Sequence, residues 1–254
     1  MAFQDYYFYG QGRVSTKRLD IVGAKWRFWG DMSSLEANIA LESVQHKESY
    51  SGNKGVTRNF PISKALTLKA TLHQLDTDAL AEQLYGATSV IASGAVVAEP
   101  LPTVAVGDTI KLEFGGISAL SIVDSASTPV ALAGTNYVLD PRFGSLDINT
   151  IPGGAVQPFK ASYTRSAAKQ VNFLTQPQPI VLFRYEGINL AEGNAPVILE
   201  IYRMATEPLQ QLVLINNDTK LSAAPVNLSA LIDTSKSATG PLGQFGRIIQ
   251  LPAA

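Results

Sequence analysis

The sequence predicts a mainly β protein carrying one short helix, and three observations lead there. Apolar residues recur with period two along several segments, helical spacing occurs convincingly only once, and 20 Gly and 14 Pro punctuate the segments. A chain of 254 residues can bury a sizeable core. The expected architecture is a β core with the helix lying on a sheet. Residues 1–87 and 171–254 form that core, and residues 88–170 form a β-rich insertion or an enlarged second sheet.

Tyr6 to Tyr9 followed by Gly10 and Gly12 read as a flexible arm or a first edge element. Lys25 to Trp29 alternates, with Trp26 and Phe28 on one side and Lys25, Arg27 and Trp29 on the other, before Gly30 and Asp31 turn the chain. Leu35, Ala37, Ile39 and Leu41 share one strand face while Glu36, Asn38, Ala40 and Glu42 share the other, the mark of a half-buried antiparallel strand. Polar residues from Gln45 to Asn59 predict a long loop or hairpin tip, and contact with a partner is a natural use for one. Alternation resumes at Leu66, Leu68, Ala70 and Leu72. Asp76 and Thr77 as caps, Leu80 and Leu84 four apart, and Gly86 as a stop then mark a helix of about eight residues, too short to stand off a sheet.

From Thr103 to Thr164 strands and turns alternate, with Ile110 to Phe114, Tyr137 to Leu139, Leu146 to Ile148 and Phe159 to Tyr163 as strands. Ile180 to Tyr185 is apolar on both faces at its start, which predicts a central strand, and Val197 to Tyr202 is a further strong strand. Leu212 to Ile215 leads into a turn at Asn216-Asn217-Asp218. Leu221 to Ser237 reads as irregular, and Arg247 to Leu251 as a last short strand.

Little here invites a chemical step. Cysteine is absent, so there is no disulfide framework or thiolate, and the two histidines, His46 and His73, lack metal-ligand spacing. Asp76 with Asp78, and Asp140 with Asp147, are more economically read as caps and turns than as acid–base pairs. Gly10-Gln11-Gly12 lacks the third glycine and helix of a nucleotide loop, and no G-x-S-x-G elbow occurs. Asn217-Asp218-Thr219 and Asn227-Leu228-Ser229 match the glycosylation pattern, which is short and means little without secretion. A net charge of −1 argues against binding nucleic acid by phosphate neutralisation. The basic cluster Arg13, Lys17, Arg18, Lys25 and Arg27 reads as a solvated or charge-paired face. No run is long enough to cross a bilayer as a helix, and no secretory h-region follows Met1. The expectation is a structural protein with no enzymatic activity, no cofactor and no metal.

Several stretches resemble one family. Gly30-Asp31-Met32-Ser33-Ser34-Leu35, Glu48-Ser49-Tyr50-Ser51-Gly52, Leu66 to Leu75 entering the helix up to Gly86, and Tyr185-Glu186-Gly187 through Tyr202-Arg203 are similar to major tail tube proteins of long-tailed bacteriophages. Gly134 to Val138 with Phe143-Gly144-Ser145-Leu146 also looks like a β element of phage tail proteins. The resemblance implies a tail tube fold, a β-sandwich or barrel-like core flanked by one short helix, whose subunits form hexameric rings, stacked into a helical tube that delivers DNA into a bacterial host. Implied partners are further copies of the chain, a tail terminator, tail tip or baseplate proteins, and a tape measure protein in the lumen before ejection. DNA would pass without sequence-specific binding. The implied location is the virion tail, after assembly in the host cytoplasm and without membrane contact. The resemblance assigns Gln45, His46, Lys47, Glu48, Tyr50, Asn53, Lys54 and Arg58 to an inter-ring loop, and makes Glu36, Glu42 and Lys69 candidates for the lumen face. The alternative is a carbohydrate-binding or adhesin-like β module of a tail tip, with Tyr6, Trp29 and Tyr50 stacking on sugars.

Overall fold

A computed structural model describes residues 6–217, 219 and 221–253. Asp218, in the expected Asn216 to Asp218 turn and in one glycosylation pattern, lies outside the described residues, as do Met1 to Asp5. The strands are β1 (Gly10–Arg18), β2 (Arg27–Phe28), β3 (Met32–Lys47) and β4 (Val56–Leu72), followed by helix α1 (Thr77–Gln83). Next come β5 (Thr88–Ile91), β6 (Gly94–Pro100), β7 (Thr109–Lys111), β8 (Ile117–Val123), β9 (Tyr137–Asp140), β10 (Ser145–Ile148), β11 (Lys160–Arg165) and β12 (Ala168–Val171). The chain ends with β13 (Ile180–Asn189), β14 (Ala195–Thr206), β15 (Ala224–Ala230) and β16 (Gly246–Gln250). The protein is mainly β, with one α-helix, and its sheets are antiparallel throughout the described pairings.

Two compact units divide it: Met1–Thr88 with Val171–Ala254, and Ser89–Gln170. In the first, one sheet runs β2-β1-β13-β14-β15-β4-β3, and β16 also pairs β14. The branch arises because β14 is long. Its Val197 to Ile201 stretch pairs β16 while Met204 to Thr206 pairs β15. Val14, Phe183 and Ile201 from one arm and Leu68, Leu72 and Leu228 from the other share one buried core, the packing of a sandwich-like fold. Trp29 closes it, its ring edge-on to Phe183 at 6.1 Å.

In the second unit, sheets β6-β11-β8 and β7-β10-β9 enclose a separate core built on Leu146, Ile148, Phe159, Ala161 and Ile122. Asp124 is buried there, and its carboxylate accepts hydrogen bonds from the backbone N–H groups of Val130, Val156 and Ala126. Those bonds hold it below the usual carboxylate range, that from Val130 most of all.

Three expectations are corrected or narrowed. Gly10 and Gly12, read with Tyr6 to Tyr9 as a flexible arm or a first edge element, belong to no free arm: they begin β1, which pairs β13 along its whole length and β2 only at Ser15 and Thr16. Ala224–Ala230, read as irregular, is a strand whose Val226 and Leu228 are fully buried. The helix starts on the expected cap, with Asp76 accepting from the Ala79 N–H at 2.7 Å, but it ends at Gln83. The left-handed residue after it is Tyr85 rather than Gly86. Gly86 is required for another reason: a Cβ there would lie 1.7 Å from the Asn172 carbonyl oxygen.

Candidate functional site

The residues expected to form a long polar loop or hairpin tip are a hairpin tip, with strand at both ends and a turn between. Gln45, His46 and Lys47 end β3, Arg58 belongs to β4, and only Glu48 to Gly55 form the connecting turn. β3 and β4 pair from Met32↔Leu72 to Lys47↔Val56, a hairpin far longer than the sheet that supports it. β15 pairs β4 only from Thr67 to Leu72, so beyond that point both outer edges of the hairpin are unpaired among the described residues. Three register shifts mark bulges, and Pro61, which cannot donate to a ladder, sits beside one of them.

The alternation that predicted a half-buried strand holds only at the root. Leu68, Ala70 and Leu72 are buried, whereas Ile39 is 83% exposed, and Leu41, Val44, Phe60 and Ile62 are all exposed. Glu36 lies directly opposite Lys69, and Glu42 faces Ser63, whose hydroxyl donates to its carboxylate at 2.8 Å. Glu36, Glu42 and Lys69 thus share one polar hairpin face before the bulge at Glu42/Ser43.

The turn is held by Glu48. Its side chain is buried and accepts from both the backbone N–H and the hydroxyl of Ser51, while its own N–H donates to the Gly55 carbonyl. Tyr50 stands out from this turn at 86% exposed. Lys47 and Lys54 flank the turn in sequence, Arg58 and Lys64 lie further down β4, and none of the four has an acidic partner among the described residues.

At the hairpin root opens a groove of about 920 Å³. Its floor is the Tyr185 ring, and burial raises the pKa of that hydroxyl. The ring lies flat where β1 and β13 place Gly12 opposite Gly187: a Cβ on either glycine would fall within 2.6 Å of it. Phe8, Leu35, Leu199 and Ile248 make the walls, and Asp31 stands on the rim. Gly30, at φ +91°, turns Asp31 so that its N–H donates to the Gln74 side chain.

On the opposite face of β1, β13, β14 and β16 runs a charge ladder, Arg13–Glu186–Arg184–Glu200–Arg247. Glu200 accepts from Arg184 at 2.5 Å and from Arg247 at 2.7 Å. Hydrogen bonds from Arg184 and Arg13 lower the Glu186 pKa. The basic cluster noted in the sequence is charge-paired at three points, Arg13 with Glu186, Arg18 with Asp20, and Arg27 with the buried Glu82.

The groove and the ladder were missed at the sequence level, though traces were present. Arg184 and Glu186 two apart, with Glu200 on the next strand, carry the ladder's period. Nothing in one sequence registers Gly12 against Gly187. Trp29 is 2% exposed and is removed from any sugar-stacking set. Among the described residues no cluster of three or more His, Cys, Asp or Glu is placed to hold a metal, and no helix is long and apolar enough to cross a membrane.

No curated protein matches the chain. A family model described as "Protein of unknown function UCP028589" matches residues 7–249. That match takes in both units and nearly the whole sequence, and the chain therefore belongs to this family.

Proposed function

We propose that the protein is a structural subunit of a phage-like tail tube, self-assembling into hexameric rings that stack around a channel for DNA. The observation that carries this reading is the hairpin. A two-stranded ribbon without a third strand or a covering layer is marginal in water, and this one exposes Ile39, Leu41, Phe60 and Ile62 along unpaired edges. Repeated heterologous contacts between copies cover such an element in every subunit. The succession β3, polar turn, β4 and capped helix α1 supports this reading, because the resemblance rests on a strand, a polar loop, a paired strand and a short helix in that order.

In this reading the residues from Gln45 to Arg58 contact the adjacent ring, and the polar face with Glu36, Glu42 and Lys69 is a lumen candidate. Tail terminator, tip or baseplate and tape measure proteins are its partners, the virion tail is its location, and no catalytic step is involved. Negative-stain imaging of the purified chain tests the proposal. Six-fold rings or tubes are expected, whereas monomers that bind glycan favour an adhesin-like module and overturn it.

A further inference from the structure

The hairpin is electrically polar along its length. Residues 45–64 hold four bases, Lys47, Lys54, Arg58 and Lys64, and one acid, Glu48, out of 20 Lys+Arg and 21 Asp+Glu in the chain. The outer hairpin therefore carries a formal +3 and the remainder −4. Its single acid is turned inward onto Ser51, so the surface of the tip is basic. The groove at the root has a single charged residue in its lining, the acid Asp31. Asp31 stands on the groove rim without a cationic partner among the described residues, and the groove beneath it is lined by Tyr185, Leu35, Leu199 and Ile248.

We infer that the groove at the hairpin root of one copy receives the hairpin tip of a second copy, with Tyr50 entering the groove and the tip lysines meeting Asp31. This rests on the tail tube reading and names the receiving surface. The tip offers an exposed, amphipathic aromatic ring on a preorganised turn, and the groove offers a mixed lining, apolar at Leu35, Leu199 and Ile248 and polar at Gln11, Ser34 and Gln250, with the acid Asp31 among its residues. A tip at one end and its receptor at the other make a heterologous contact, which repeats along an axis instead of closing as a dimer. Opposite charges orient each encounter.

The chain has no cysteine, so engineered pairs report cleanly. Ser33 is exposed in the groove wall and Tyr50 on the tip. The full chain carrying S33C and Y50C, treated with a mild oxidant, is expected to give a covalent ladder of dimers, trimers and longer species, and S33C alone no ladder. Separately, K47E/K54E and D31K should each abolish assembly, and an equimolar mixture of the two chains should restore it by pairing opposite charges at every contact. Raising salt from about 0.1 M to about 1 M, which shortens the Debye length from about 10 Å to about 3 Å, should weaken wild-type assembly. Wild-type assembly without a covalent ladder overturns this contact and leaves the ring reading standing. Efficient dimers from Y50C alone show a tip-to-tip contact and overturn it too. A wild-type chain that stays monomeric overturns both.

Discussion

At the residue scale, the fold depends on close approaches and buried acids that the residue types alone do not announce. Gly86→Ala places a Cβ against the Asn172 carbonyl and should cost about 1–3 kcal/mol, measured by denaturant unfolding. Asp124 gives a pH prediction. Its folded pKa is lowered by backbone hydrogen bonds, so its contribution is complete above the ordinary carboxylate pKa and is lost as pH falls through the lowered folded value. Unfolding of the 89–170 unit, followed by urea melts between about pH 5 and pH 2, should show that acid-side loss, and Asp124→Asn should flatten it. An unchanged profile in the variant contradicts the assignment. Glu200 joins two arginines across three strands, so Glu200→Ala should free β16 first, seen as faster proteolytic trimming of the C-terminal segment with the core intact.

At the element scale, the strands that alternate strictly were legible, among them the first half of β3, the root of β4, β11 and β14. Each of these has one face on a core, at least in part, and period two records it. Between a long loop and a hairpin tip for Gln45 to Asn59 the residues do not decide, because they are polar and meet no core; the structure is a hairpin tip. Its pairing is fixed by the continuing ladder and not by burial. β15 was missed for a different reason: Pro225, Asn227 and Ser229 alternate with the buried residues and read locally as turn chemistry. The groove was illegible because it depends on the register of β1 against β13, a pairing about 170 residues apart in sequence. Since Ile39 and Ile62 are exposed in their own subunit, Ile39→Ser with Ile62→Ser should leave the unfolding free energy within about 0.5 kcal/mol of wild type while reducing assembly. Leu68→Ala, at the buried root, should cost about 2–5 kcal/mol.

At the scale of the whole molecule, two cores imply two separable stabilities. Phe183→Ala and Phe159→Ala, each fully buried in a different core, should each lower the stability of its own unit by about 3–5 kcal/mol. The central claim is that the outer hairpin is completed by other copies of the chain. Hydrogen–deuterium exchange of the full-length protein, followed at residues 38–47 and 56–66 from dilute monomer to concentrated assembly, tests it most directly. The account predicts rapid exchange along these strands in the monomer and strong protection on assembly, while the amides of β13 and β14 stay protected in both. Assembly that leaves the hairpin amides as open as in the monomer, or a hairpin already fully protected in isolation, would contradict it.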